Sequence, residues 1–134
     1  MKLSLVDTDV LSAFLRGDEQ VAKRVELYLK KFSHLNISII TYYEMLNGLL
    51  YKDARKQLSR FESFIKLNKV YPLTLRSVKI SAGIQAELRR NGSPIGHTDT
   101  LIAGIALANK MTLISNNSKH FSRIDKLDID NWLK

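Results

Sequence analysis

The chain has 134 residues, no cysteine and a formal net charge of +8. That length suits one domain with one real core, and 45% apolar with 25% charged residues is a globular balance, not a disordered one. The lack of cysteine excludes a disulfide framework and a thiolate metal site, and the basic balance attracts polyanions such as nucleic acid.

No linker or repeat stands out, so 1–134 is expected to form a single domain. Asp7 interrupts the first apolar stretch too early for a secretory core. The longest apolar run, LIAGIALA at 101–108, is too short to span a bilayer. A soluble cytoplasmic protein is the expectation.

Leu3–Val6 reads as a short buried strand that stops at Asp7, with Asp9 close behind. Either Asp7 ends the strand and Asp9 caps a helix, or the two acids flank the strand end as functional carboxylates. Val21, Val25, Tyr28, Leu29 and Phe32 recur at helical spacing, with Asp18 as cap. Leu35–Ile40 reads as a second strand, and a helix follows from Thr41. A basic amphipathic helix over 53–67 turns Leu58, Phe61, Phe64 and Ile65 inward. Val70–Leu73 is a third strand, which Pro72 assigns to a sheet edge or a strand end. Leu75–Leu88 is helical, and NGSPIG at 91–96 is a loop. Thr98–Asn109 is a tightly apolar helix, Thr112–Ser115 a fourth strand and Leu127–Ile129 a fifth.

Strands alternating with helices predict an α/β fold with a mostly parallel sheet covered on both faces. Such sheets carry their sites beyond the carboxyl ends of the strands. Asp7, Glu44, Asp99 and Asn117 all fall there. Each has a local alternative. Thr41 and Glu44 fit a capping box, Asp99 suits a helix's first turn, and Asn117 suits a turn. Convergent carboxylates without Cys or paired His suit a hard cation such as Mg²⁺ or Mn²⁺. With a basic surface around them, phosphodiester hydrolysis is the expected chemistry. His34, His97 and His120 match no zinc spacing; His34 suits a loop, and His97 and His120 fall near the proposed site, where they could touch phosphate, though ordinary surface or capping roles fit them better.

Four segments, LVDTDVLS, SIITYYEMLNG, GSPIGHTDTLIAGIALA and TLISNNSKHFSRIDKLDIDNW, resemble the PIN-domain ribonucleases, and among them the VapC toxins of toxin–antitoxin pairs. The resemblance implies a three-layer sandwich with a central, mostly parallel sheet of four to five strands. It implies that Asp7, Glu44 and Asp99 bind the metal, with Asn117 at a fourth position that is acidic or Asn. An Asn adds no charge, which disfavours a stable second ion. Thr8 and Ser115 are implied as supporting hydroxyls. Asp9 stands where many relatives carry Asn, as ligand or cap. Lys119, Arg123, Arg89 and Arg90 flank the loops carrying Asp99 and Asn117 and are the candidate RNA contacts.

The resemblance makes structured RNA, tRNA first, the expected substrate. It also implies a homodimer silenced by a cognate antitoxin, whose C-terminal segment crosses a groove beside the helices at 41–51 and 53–67. The residues agree to this extent: apolar side chains in TYYEMLNGLLY at 41–51 cover more than one helix face. Two rivals stand. DTDV also resembles the opening motif of haloacid-dehalogenase phosphatases, with Asp7 as nucleophile, though the acid pair that pattern needs after a late strand is missing from SNNSKHF. The other rival is a non-catalytic basic nucleic-acid-binding module.

Overall fold

A computed structural model describes residues 1–134. Strand β1 (Ser4–Val6) is buried along its length and ends at Asp7. The Asp7 side chain accepts from Thr8 N–H and caps helix α1 (Thr8–Leu15). Asp9 therefore lies in the first turn and is not the cap. Asp18 caps α2 (Glu19–Lys31) by accepting from Val21 N–H. Strand β2 (Asn36–Ser38) runs directly into α3 (Ile39–Tyr51).

That junction differs from the expected one. Ser38 Oγ accepts from Thr41 N–H, so the helix starts at Ile39 and the strand stops two residues short of Ile40. The Thr41–Glu44 capping box does not form, because Ser38 holds the cap position one turn earlier. Next come α4 (Arg55–Leu67) and β3 (Lys69–Tyr71). Strand β3 is a sheet edge and Pro72 follows it at once. A Thr74–Ser77 capping box opens α5 (Leu75–Arg90). Helix α6 (His97–Ala108), β4 (Thr112–Ile114), a short turn of helix α7 (Ser118–Phe121) and β5 (Ile129–Asp130) complete the chain.

Every strand pairing is parallel. The ladders run β1-β4-β5 and β2-β3. Leu3 C=O and Asp7 N–H bond to β4, so Ser4 turns its own N–H and C=O to the opposite edge. There Asn36 Nδ2 donates to Ser4 O at 3.0 Å, and Ser4 N–H donates to the Tyr28 hydroxyl at 3.1 Å. Side chains thus join β2 to β1, and the five strands form two ladders instead of one.

Period-2 alternation divides the core. Leu5 and Leu113 face a cluster with Ile102, Ile105 and Phe121, covered by α5 and α6. Val6 and Ile114 face the other side, with Leu11, Tyr28, Phe61 and Trp132 under α1, α2 and α4. This is the three-layer sandwich. Helix α6 presses closely on α5. A Cβ at Gly104 would collide with Ser81 Oγ and come within 2.5 Å of the Ser77 carbonyl oxygen.

Candidate active site

Parallel pairing of β1 with β4 sets the centre of the site. Val6 is in register with Ile114, so Asp7 and Ser115 leave the sheet side by side. Asp7 N–H donates to Ile114 O at 2.8 Å, which anchors its backbone in the ladder. The Asp7 carboxylate accepts from Thr8 N–H at 2.8 Å and from Ser115 Oγ at 2.7 Å. It is only 6% exposed. Burial pushes its pKa up to about 7, with the charges of Asp9 and Asp99 adding to the rise and the Ser115 and Thr8 bonds opposing it. A carboxylate held that way gains from a nearby cation.

Asp9 accepts from Val10 N–H at 2.7 Å and, across the site, from Asn116 N–H at 3.0 Å. Burial raises its pKa as well, with a smaller contribution from Asp99. The structure thus groups Asp7, Asp9 and Asp99 electrostatically.

Glu44 reaches the same rim from α3. Its Oε1 accepts from Thr8 Oγ1 at 2.7 Å. Thr8 Oγ1 also lies 3.0 Å from Thr41 Oγ1, which in turn lies 3.3 Å from Ser38 Oγ. Each hydroxyl has one hydrogen. Since Thr8 gives its hydrogen to Glu44, Thr41 donates to Thr8 and Ser38 to Thr41. Ser38 and Thr41 are fully buried, so this chain of hydroxyls steers the Glu44 carboxylate from inside the fold.

Asp99 is the third residue of α6. Its Oδ2 lies 3.3 Å from Asn117 Nδ2 and 3.4 Å from His120 Nδ1. Asn117 precedes α7 but makes no side-chain cap bond. Its amide faces the site instead, and Nδ2 also lies 3.0 Å from His120 Nδ1. As the side chains stand, no three acidic or imidazole groups gather closely enough to ligate one ion. Each carboxylate is turned to a donor of the protein.

The basic candidates divide. Lys119 is exposed on α7, one residue before His120. Arg123 NH1 donates to the carbonyls of Ser93 and Pro94 at 3.5 and 3.1 Å. It pins the loop that delivers Asp99, a structural role that the sequence reading did not assign to it. Gln85 fastens the same loop, clasping the backbone N–H and C=O of Ile95. Arg89 and Arg90 occupy the last turn of α5, and Arg89 shares a groove with His97. His34 lies away from the acids, beside Ser33 Oγ.

Gln85, Ser38 and Thr41 were not anticipated in these roles. Thr41 meets Thr8 from 33 residues away and Gln85 meets Ile95 across a loop, while the Ser38 cap is masked by the overlapping Thr41–Glu44 signal. His120 was legible as a residue near the site that could touch phosphate, but its contacts with Asn117 and Asp99 were not.

The PIN domain family model matches residues 4–127. Ribonuclease VapC1 of Haemophilus influenzae is 30% identical over 134 residues, covering 97% of this chain and 98% of the relative. The tRNA(fMet)-specific endonuclease VapC of Salmonella typhimurium is 33% identical over 101 residues, covering 75% and 76%. Among solved structures, VapBC2 of Rickettsia felis bound to a DNA fragment from their promoter superposes with a TM-score of 0.89. It is 26% identical and covers 97% of this chain and 98% of that one. These findings overturn the phosphatase and the non-catalytic readings. The segment after β4 agrees, since it brings Ser115 and Asn117 to the site and no acid pair. The chain belongs to the PIN domain family, among its VapC-type ribonucleases.

Proposed function

We propose that this endoribonuclease cleaves structured RNA, tRNA first, using Mg²⁺ or Mn²⁺ held by Asp7, Asp99 and Glu44, with Asp9 beside them. One observation carries the metal reading. Four acids stand on one rim, yet no Lys or Arg pairs with any of them. The ion pairs of the chain are Lys2–Asp128 and Arg55–Asp53, neither of them at the rim, where only the His120 imidazole comes close, 3.4 Å from Asp99 Oδ2. Acids gathered on one rim with no basic partner to offset their charge call for a cation. The donors are oxygens without Cys or clustered His, which suits a hard divalent ion. PIN ribonucleases in general depend on a divalent metal.

Such an ion, when bound, stabilises charge on the phosphate and acidifies the attacking water. The chain's own residues supply orientation. Ser115 and the Thr8 amide aim Asp7, the Thr8 hydroxyl aims Glu44, and Asn117 aims Asp99. Lys119, Arg89 and Arg90 supply positive charge for the RNA backbone around an acidic centre.

The tRNA reading rests on the Salmonella relative, a tRNA(fMet)-specific endonuclease. A cognate antitoxin is supported by the Rickettsia felis neighbour, which is a VapBC complex. The homodimer is supported by exposed apolar side chains. Tyr42, Met45, Leu46 and Leu49 of α3 pack on the core, whereas Tyr43, Leu50 and Tyr51 are 63%, 59% and 89% exposed. Aromatic and Met side chains are enriched in interface cores.

The test incubates the purified protein with a tRNA(fMet) transcript and a mixed tRNA pool, with Mg²⁺, Mn²⁺ or EDTA. Cleavage that EDTA stops and Asp99→Asn abolishes is expected. Metal-independent cleavage, or full activity in a folded Asp99→Asn protein, overturns the assignment.

A further inference from the structure

We propose that His120 touches the substrate, donating its Nε2 hydrogen to a phosphate oxygen of the RNA beside Asp99. This rests on the endoribonuclease reading and adds a residue to that site.

The argument begins with the amide of Asn117. A carboxylate accepts hydrogen bonds and donates none. Asn117 must therefore present Nδ2, not Oδ1, to Asp99 Oδ2 at 3.3 Å. Nδ2 has two hydrogens. The second points to His120 Nδ1, which is 3.0 Å away and nearer than the 3.4 Å between Nδ1 and Asp99. A ring nitrogen that accepts carries no hydrogen, so the imidazole hydrogen sits on Nε2. Nε2 has no partner within the protein, and the side chain is 40% exposed. The result is a donor of fixed tautomer, aimed away from Asn117 at the edge of the acidic rim.

Two further points single His120 out. It is the only basic side chain that touches one of the rim's acids. It is also held in place, whereas Lys119 projects from the surface and Arg123 is engaged by the 93–94 carbonyls. An Asp at position 117 would have no hydrogen for either neighbour. The Asn there gives this chain its coupling of Asp99 to His120.

The test compares His120→Ala, His120→Gln and His120→Asn in single-turnover cleavage of the tRNA(fMet) transcript and mixed tRNA pool across a Mg²⁺ titration. A Gln amide reaches the place of Nε2, and an Asn amide reaches only that of Nδ1. His120→Ala should lower kcat/KM roughly 10- to 100-fold, the size of a hydrogen bond to a charged group. His120→Gln should recover most of that loss and His120→Asn little of it. The Mg²⁺ concentration for half-maximal rate should not move. Thermal midpoints check folding, and the Gln and Asn variants fill the site should the Ala variant unfold. Equal rescue by Asn and Gln would overturn the contact. So would a raised Mg²⁺ requirement with full rate at saturation, since His120 would then act only through Asn117 and Asp99. Wild-type cleavage by His120→Ala would also overturn it. A wild-type protein inactive on both RNAs, with Mg²⁺ and with Mn²⁺, would instead overturn the tRNA-cleavage reading, and this contact with it.

Discussion

Asp7→Asn should stabilise the metal-free protein at neutral and alkaline pH while abolishing cleavage. The magnitude follows from the buried carboxyl. Its pKa rises from an ordinary 3.8 to about 7, chiefly through burial. That difference corresponds to about 4 kcal/mol, since each pH unit is worth about 1.4 kcal/mol. The sign follows from linkage. A carboxyl with a raised folded pKa contributes its full stability below pH 3.8 and loses it as pH rises through about 7. Above that pH the ionised group is a burden that Asn removes. Asn keeps one acceptor where Asp7 uses two, for Thr8 N–H and Ser115 Oγ. Turning its NH₂ toward Ser115 costs about 1 kcal/mol. The net gain at pH 8 is therefore about 2–3 kcal/mol, and it vanishes toward pH 4. Urea unfolding in EDTA at pH 4, 6 and 8 reads the difference directly. Mg²⁺ should then stabilise the wild type by mass action and leave Asp7→Asn nearly unmoved. An Asp7→Asn protein no more stable than wild type at pH 8, with unchanged m-value, refutes the reasoning. So does a gain that persists undiminished at pH 4.

Asp9→Asn should retain most of the cleavage rate, because the Asp9 side chain bonds only backbone N–H groups in this structure. A loss as deep as that of Asp99→Asn would make Asp9 a primary ligand. Thr41→Val should cut cleavage while leaving Asp7 and Asp99 in place, since it breaks the hydroxyl chain that aims Glu44; a kcat equal to wild type would remove Thr41 from the site. Gly104→Ala should destabilise by about 1–3 kcal/mol in urea, because the added methyl meets Ser81 and Ser77. Ser81→Ala should restore only part of that, as the Ser77 carbonyl still crowds the position. Replacing both Lys119 and Arg89 with Gln should flatten the dependence of RNA affinity on salt by roughly one unit of log–log slope per lost phosphate contact, measured by filter binding.

The elements were legible wherever short apolar runs meet polar ends. LSLV and TLIS read as strands because each is bounded by a residue that cannot continue the core, Asp7 in one case and Asn116 in the other. Helix α6 was legible from its small and apolar residues, and Asp99 falls in its first turn as expected. Boundaries failed where two local signals overlap. In SIITYYE, a Ser38 cap bonded to the Thr41 amide competes with a Thr41–Glu44 box, and the first prevails because Thr8 takes the Glu44 carboxylate. The division of the sheet was not legible at all. It depends on Tyr28 and Asn36 meeting Ser4, contacts 24 and 32 residues apart in sequence. The loop contacts of Arg123 were hidden for the same reason. Any exposed Arg near a catalytic loop reads as a phosphate contact, and only the folded chain brings the Ser93 and Pro94 carbonyls to it.

The site itself has one organising feature that composition hides. Lys and Arg outnumber Asp and Glu by 21 to 13, yet neutral groups serve all four rim acids. The Ser115 hydroxyl serves Asp7, the Thr8 hydroxyl Glu44, the Asn117 amide Asp99 and the Asn116 amide Asp9. Neutral donors orient a carboxylate without cancelling its charge. A Lys or Arg in any of those places would cancel it and compete with a divalent ion. The donors also come from separate elements, the start of α1 and the segment after β4, which the parallel β1–β4 register locks together. Orientation is thus supplied by the fold, and the negative charge is left for the cation. The positive charge is kept outside the rim, where an RNA backbone can meet it.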